Sequence, residues 1–260
     1  MAVIMVLTNQ KGGVGKTTSS AALAGGLAKR GFRVLAIDMD PQGNLGFSLG
    51  LGQEESDIYE VLSGAKNIRE VICQTEECDV IPSGMMLSSI QTQMEGSGTK
   101  EVLKEKLEEV EDDYDYIIID TPPALNLLTV NAYAAASYLL IPMGADILSL
   151  VGLSQLRETV EAVREQVNPG LKVLGILLTR FNARTRLSRD VMDMAQQVAG
   201  QLDTRVFEHT IRTAVAVSEA PAHGESILKY APSARVSADY DGFISEVLSR
   251  LEETPAKEEG

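Results

Sequence analysis

A chain of 260 residues, 44% of them hydrophobic, is long enough to bury a large core and suits one α/β domain. Its net charge of −14 argues against a uniformly basic nucleic-acid binder, because non-specific DNA binding is mostly neutralisation of phosphate. No apolar run reaches the roughly 18 residues of a membrane span, and residues 1–8 are too short for a signal peptide. Cys73 and Cys78, with no histidine nearby, form no metal or redox motif, which fits a reducing cytoplasm.

The first element is the apolar run 3–7, read as a buried strand. It leads into Lys11-Gly12-Gly13-Val14-Gly15-Lys16-Thr17-Thr18. Glycines at such a turn let successive N–H groups face one anion, and the next helix aims its positive dipole end at the same point. Lys16 is placed to reach the β/γ-phosphates of a nucleotide and Thr17 to ligate Mg²⁺. The strict phosphate-loop pattern fails at its first glycine, where Gln10 stands, and a second lysine, Lys11, lies five residues before Lys16. Two cations on one short loop repel unless an anion lies between them.

A second run, 34–37, ends in Asp38-Met39-Asp40-Pro41-Gln42-Gly43-Asn44. Two carboxylates spaced i, i+2 at a strand end point the same way. Asp40 is the candidate for orienting the attacking water, and Asp38 the candidate nearer the Mg²⁺ shell. Residues 80–82 suggest a short further strand, and the acidic stretch 101–115 reads as solvated helix face. The run 116–119 ends in Asp120-Thr121-Pro122-Pro123, the pattern of a strand whose carboxylate holds Mg²⁺ through water. Residues 121–124 read as a switch that senses the γ-phosphate.

Apolar runs at 138–141 and 173–178 complete the strands, and helical spacing marks 19–30, 125–136, 147–167 and 188–202. Strands without polar alternation, separated by helices, predict an α/β doubly wound, mainly parallel sheet with helices on both faces. One domain is expected over 1–251, followed by an acidic, disordered tail over 252–260. No Asn-Lys-x-Asp guanine reader is present, which favours ATP over GTP. Four arginines, Arg180, Arg184, Arg186 and Arg189, precede the next acid, Asp190, and form a candidate DNA-phosphate face.

The loop 9–18 resembles the deviant Walker A loop of the ParA/MinD group of ATPases. Beyond it, the resemblance to ParA/Soj partition ATPases covers roughly residues 2–250. It is carried by 38–44, 113–123, Leu127-Leu128-Thr129-Val130-Asn131-Ala132, Gly152-Leu153-Ser154-Gln155-Leu156, Gly175-Ile176-Leu177-Leu178-Thr179 and Ser218-Glu219-Ala220-Pro221. The resemblance implies ATP hydrolysis with Mg²⁺ in a nucleotide-sandwich homodimer, with Lys11 reaching the nucleotide of the facing subunit. It also implies nucleoid association through non-specific binding of double-stranded DNA, and a ParB-like partner that stimulates hydrolysis. Where such proteins read Ile-Pro-Arg-Asn-Val-Arg-Leu before Ser-Glu-Ala-Pro, this chain reads Ile211-Arg212-Thr213-Ala214-Val215-Ala216-Val217. The positions resembling adenine contacts are thus Arg212 and Ala214, and that of a DNA-binding arginine is Ala216. Arg212 and Pro221 are the candidates for contacts to the base.

Three alternatives start from the same residues. A related ATPase that positions protein cargo, such as chemoreceptor arrays or microcompartments, is scarcely separable by sequence. A MinD-type membrane ATPase would need a basic amphipathic C-terminal helix, whereas residues 248–254 are acidic and poor in anchors. An iron protein of the nitrogenase type would need cluster cysteines, and Cys73 and Cys78 lie in an ordinary segment.

Overall fold

The computed structural model describes residues 1–52, 54, 56–90 and 99–253. Its centre is a seven-stranded sheet in the order β3-β4-β2-β5-β1-β6-β7. The strands are β1 (Val3–Leu7), β2 (Val34–Asp38), β3 (Cys73–Gln74), β4 (Asp79–Ile81), β5 (Tyr116–Asp120), β6 (Tyr138–Gly144) and β7 (Lys172–Thr179). All neighbours pair in parallel except β3, which runs antiparallel on β4 at the edge. The two-residue β3 has no signal in the sequence, because an element so short carries no periodicity.

Burial on both faces explains the unbroken apolar runs. Along β1, Ile4 and Val6 join one core layer while Met5 and Leu7 join the other. The helices are α1 (Lys16–Lys29), α2 (Asn44–Ser48), α3 (Ile58–Leu62), α4 (Val102–Leu107), α5 (Leu127–Ala135), α6 (Ile147–Gln166), α7 (Arg186–Gln201), α8 (Ala216–Glu219), α9 (Ile227–Tyr230) and α10 (Arg235–Glu253). Residues from α3 to α7 build the first layer; α1, α9 and α10 build the second. Each fully buried Leu, Ile or Val contributes about 1.5–3 kcal/mol by leaving water. Of the acidic stretch 101–115, only α4 and a single 3₁₀ turn, Glu111–Asp113, are helical.

Helix α10 escaped the sequence reading, although its stripe of Val236, Tyr240, Phe243, Ile244 and Val247 has helical spacing and is buried. It packs close to α1: a Cβ on Gly26 would collide with the Ile244 and Leu228 side chains. The helix runs on through Glu252 and Glu253, two residues into the expected tail, with Leu248 and Leu251 against the core. Residues 254–260 lie outside the described residues.

The strand register sets up the site. Asp120 ends β5 in register with Leu7 of β1 on one side and Asp38 of β2 on the other. The two carboxylates and the exit of β1 therefore meet at one level on the carboxyl edge of the sheet, where ligands bind in open α/β folds.

Candidate nucleotide site

Between β1 and α1 the chain turns through Gly13 at φ 70° and Gly15 at φ 86°, left-handed conformations that glycine adopts without strain. Buried Asn9 frames the loop: its Nδ2 donates to Pro142 O at 2.8 Å, and its Oδ1 accepts the Lys11 N–H at 2.9 Å. Lys16 is buried and folds back, its Nζ donating to Asn9 O at 3.0 Å and Lys11 O at 3.2 Å. Burial lowers its pKa, against the opposing pull of the Asp120 and Asp40 carboxylates.

Thr17 Oγ1 donates to Asp120 Oδ2 at 2.6 Å, and Ser20 Oγ donates to Asp120 Oδ1 at 2.9 Å. Asp120 is wholly buried, and burial raises its pKa despite those two hydrogen bonds. Asp40 Oδ1 accepts the Gln42 N–H at 3.0 Å, and Asp40 O accepts Ser83 Oγ at 2.7 Å. A cavity of about 530 Å³ opens over these groups. It is lined by Gly12, Gly13, Gly15, Lys16, Thr17, Thr18, Asp40, Gln42, Asn44, Pro123 and Arg180.

Asp38 does not line it. Both its oxygens face backbone: Oδ1 accepts the Asp40 N–H at 3.0 Å, and Oδ2 accepts that of Leu45 at 2.8 Å, with Gly46 at 3.4 Å. Complete burial, then the neighbouring Asp120 charge, raise its pKa. This carboxylate shapes the turn that carries Asp40, where the sequence reading places it near the metal shell. Thr121, in the expected switch, is buried and donates to Leu7 O at 2.9 Å.

Lys11 has an anion beside it within the same chain. Its Nζ pairs with Asp146 Oδ1 at 2.6 Å and lies 3.3 Å from Ser149 Oγ. Asp146 also caps α6 by accepting the Ser149 N–H at 3.0 Å. Burial alone would raise its pKa, but the Lys11 and Ser149 hydrogen bonds hold it below the usual carboxylate range. Asp146 was missed in the sequence, although it follows the end of β6 at the ligand-binding edge of the sheet.

The arginine cluster divides. Arg180 lines the cavity over the glycine loop, whereas Arg184, Arg186 and Arg189 are exposed around the start of α7, with Arg186 3.8 Å from Asp190. Arg212 forks onto Asp239, with Nε–Oδ2 at 2.6 Å and Nη2–Oδ1 at 2.7 Å, and shares a second cavity of about 500 Å³ with Arg184 and Arg235. Pro221 is the second residue of a 3₁₀ turn, Ala220–His223, and lines neither cavity. Another cavity, about 610 Å³, lies at the opposite, amino edge of the sheet, by Tyr138 and Lys172. Most of its cations already have partners: Arg205 has Glu253, Arg250 has Glu246 and three carbonyls, and Lys172 lies over the Tyr138 ring.

Among the described residues, no group of three or more His, Cys, Asp or Glu converges as a metal cage, and no helix is long and apolar enough to cross a membrane. A hydroxyl facing the cavity, Thr17, with one buried carboxylate, Asp120, hydrogen-bonded behind it, suits Mg²⁺, which takes few protein ligands and completes its shell with phosphate and water.

Residues 1–173 match the family model described as an AAA domain. The chain is 41% identical to the sporulation initiation inhibitor protein Soj of Bacillus subtilis, over 96% of this chain and 99% of that protein. It is 39% identical to the chromosome partitioning protein ParA of Myxococcus xanthus, over 95% and 88% respectively. Among solved structures, one described as a cobyrinic acid a,c-diamide synthase from Mycobacterium smegmatis, with bound ADP and magnesium, superposes with a TM-score of 0.85 at 30% identity over 97% and 96% of the two chains. The ATP complex of Cyanothece McdA(D38A) also gives 0.85, at 25% identity over 99% of each chain. Sequence identity is thus higher to the partition proteins, over nearly their whole length, and with the shared architecture it decides the affiliation. The chain belongs to the ParA/Soj family of partition ATPases.

Proposed function

We propose that the protein hydrolyses ATP with Mg²⁺ and uses the nucleotide state to bind and release DNA. The observation that carries this reading is the convergence of Lys16, Thr17, Asp40 and the Thr17–Asp120 hydrogen bond of 2.6 Å on one cavity at the carboxyl edge of the sheet. The Gly12–Gly15 backbone and Lys16 cradle the phosphates, and Thr17 with Asp120 behind it would hold the metal. When bound, the magnesium ion neutralises charge on the β- and γ-phosphate oxygens. Asp40 orients the attacking water by hydrogen bonding, with its backbone fixed by Asp38 and Ser83.

On this reading Lys11 leaves Asp146 to meet the nucleotide of a facing copy, so ATP joins two subunits. Support comes from the placement of Lys11: its side chain is one-third exposed, and its amine is held by Asp146 and Ser149. Arg184, Arg186 and Arg189 then supply a local phosphate-binding face for duplex DNA on an otherwise acidic protein. A ParB-like partner stimulates hydrolysis and ends the DNA-bound state.

The test is sedimentation of Asp40→Ala with ATP or ADP, with and without duplex DNA. A dimer that persists with ATP, stays on DNA and reverts to monomer with ADP is expected. An Asp40→Ala protein that remains monomeric with ATP, and ignores DNA in both nucleotides, would overturn the reading.

A further inference from the structure

Arg180 stands in an unusual place for a surface arginine. Its backbone adopts φ 52°, the left-handed region that few residues other than glycine enter. The segment around it leaves no alternative. Thr179 Oγ1 donates to Val14 O in the phosphate loop at 2.8 Å and to Met143 O at 3.2 Å. Thr179 O accepts the Ala145 N–H at 3.1 Å, and the Phe181 N–H donates to Ile211 O at 2.9 Å. The residue on each side is therefore pinned, and Arg180 turns back over the loop. One of its guanidinium nitrogens lies 3.7 Å from where a Cβ of Gly13 would stand.

Its charge also lacks an answer. Lys16 donates to two loop carbonyls and Lys11 is paired with Asp146, yet among the described residues Arg180 makes no ion pair and no side-chain hydrogen bond. A third cation held over a loop with two lysines is unfavourable until an anion arrives. Strained backbone that the surroundings over-determine, next to a cavity, is the pattern of a residue kept for binding.

We propose that Arg180 is a phosphate-contacting residue of the nucleotide site, supplied by the same chain as Lys16, rather than part of the DNA face. This rests on the reading of the cavity as an ATP site and adds a second in-chain cation to it. A guanidinium over the Gly13 turn is directed to the phosphates beyond the first, where its donors form charge-assisted bonds to oxygen.

The decisive variant is Arg180→Gly, because glycine accepts φ 52° without strain. Titrations of the full chain with ATP, ADP, AMP and adenosine, in the presence of Mg²⁺, are compared with thermal unfolding and retention on duplex DNA. The expected result is at least about tenfold weaker binding of ATP and ADP, from loss of a charge-assisted contact. AMP and adenosine should change less than about twofold by the same reasoning, with Tm equal to or above that of the parent and partial rescue by Arg180→Lys. Undiminished ATP affinity in Arg180→Gly overturns the assignment alone, as does equal weakening of ATP and adenosine, which would place the guanidinium on the base. A fallen Tm with unchanged nucleotide binding would mark a structural role and also overturns it. A parent protein that binds no ATP would overturn both this assignment and the reading beneath it.

Discussion

Replacing Asp38 by asparagine separates a turn-forming carboxylate from a metal-binding one. The native side chain is wholly buried and offers an oxygen to Asp40 N–H at 3.0 Å and another to Leu45 N–H at 2.8 Å. Asparagine keeps one oxygen and puts an NH₂ where the other was, so one buried backbone donor loses its acceptor. Leaving a buried donor unsatisfied costs about 1–3 kcal/mol. The neutral amide also escapes the burial and Asp120 repulsion that raise the Asp38 pKa, which returns part of this and leaves a net loss of about 1–2 kcal/mol. For a domain of this size each kcal/mol lowers Tm by about 2–4 °C, so a fall of about 2–8 °C is expected. ADP binding should keep its dependence on Mg²⁺, whereas hydrolysis should drop because the Asp40 backbone is no longer fixed. Calorimetry and nucleotide titration with and without Mg²⁺ read both quantities. An unchanged Tm with a lost Mg²⁺ dependence would refute the reasoning and return Asp38 to the metal shell.

Lys11→Ala should bind nucleotide within about threefold of the parent yet stay monomeric with ATP, as read by light scattering, since its amine is paired with Asp146 and the side chain does not line the cavity of its own chain. Arg184→Glu with Arg186→Glu should abolish retention on duplex DNA at moderate salt, leave ATP binding intact and lower the salt slope by about two units. Cys78 is buried, and burial followed by the Glu77 and Asp79 charges pushes its thiol up to about 12. At pH 8 about one molecule in 10⁴ then carries the thiolate, so Ellman's reagent should titrate Cys78 only after denaturant is added, and fast labelling of both thiols in native buffer would contradict its burial.

Much of the architecture was legible because parallel strands covered on both faces write themselves as unbroken apolar runs. Those at 34–37 and 116–119 are one residue short of β2 and β5, each of which closes on an aspartate. The glycine-rich loop was equally plain, because glycine takes the left-handed turns at Gly13 and Gly15 without strain. The partner of Lys11 was not: Asp146 is 135 residues away, and only the pairing of β6 beside β1 brings it near. Arg180 reads as one of four neighbouring arginines, and nothing in that run reveals that its left-handed turn separates it from Arg184. Asp38 and Asp40 look interchangeable on paper. Their roles diverge because β2 ends at the first, which stays inside, and the turn exposes the second.

The Lys11–Asp146 contact bears on how assembly should respond to ionic strength. If the amine trades an internal carboxylate for phosphate on a second copy, one charged contact is broken as another is made. Added salt weakens both sides of that exchange, so association should vary with salt less steeply than a count of intersubunit contacts implies. On that reading, an aspartate 135 residues downstream would act as a buffer on subunit pairing.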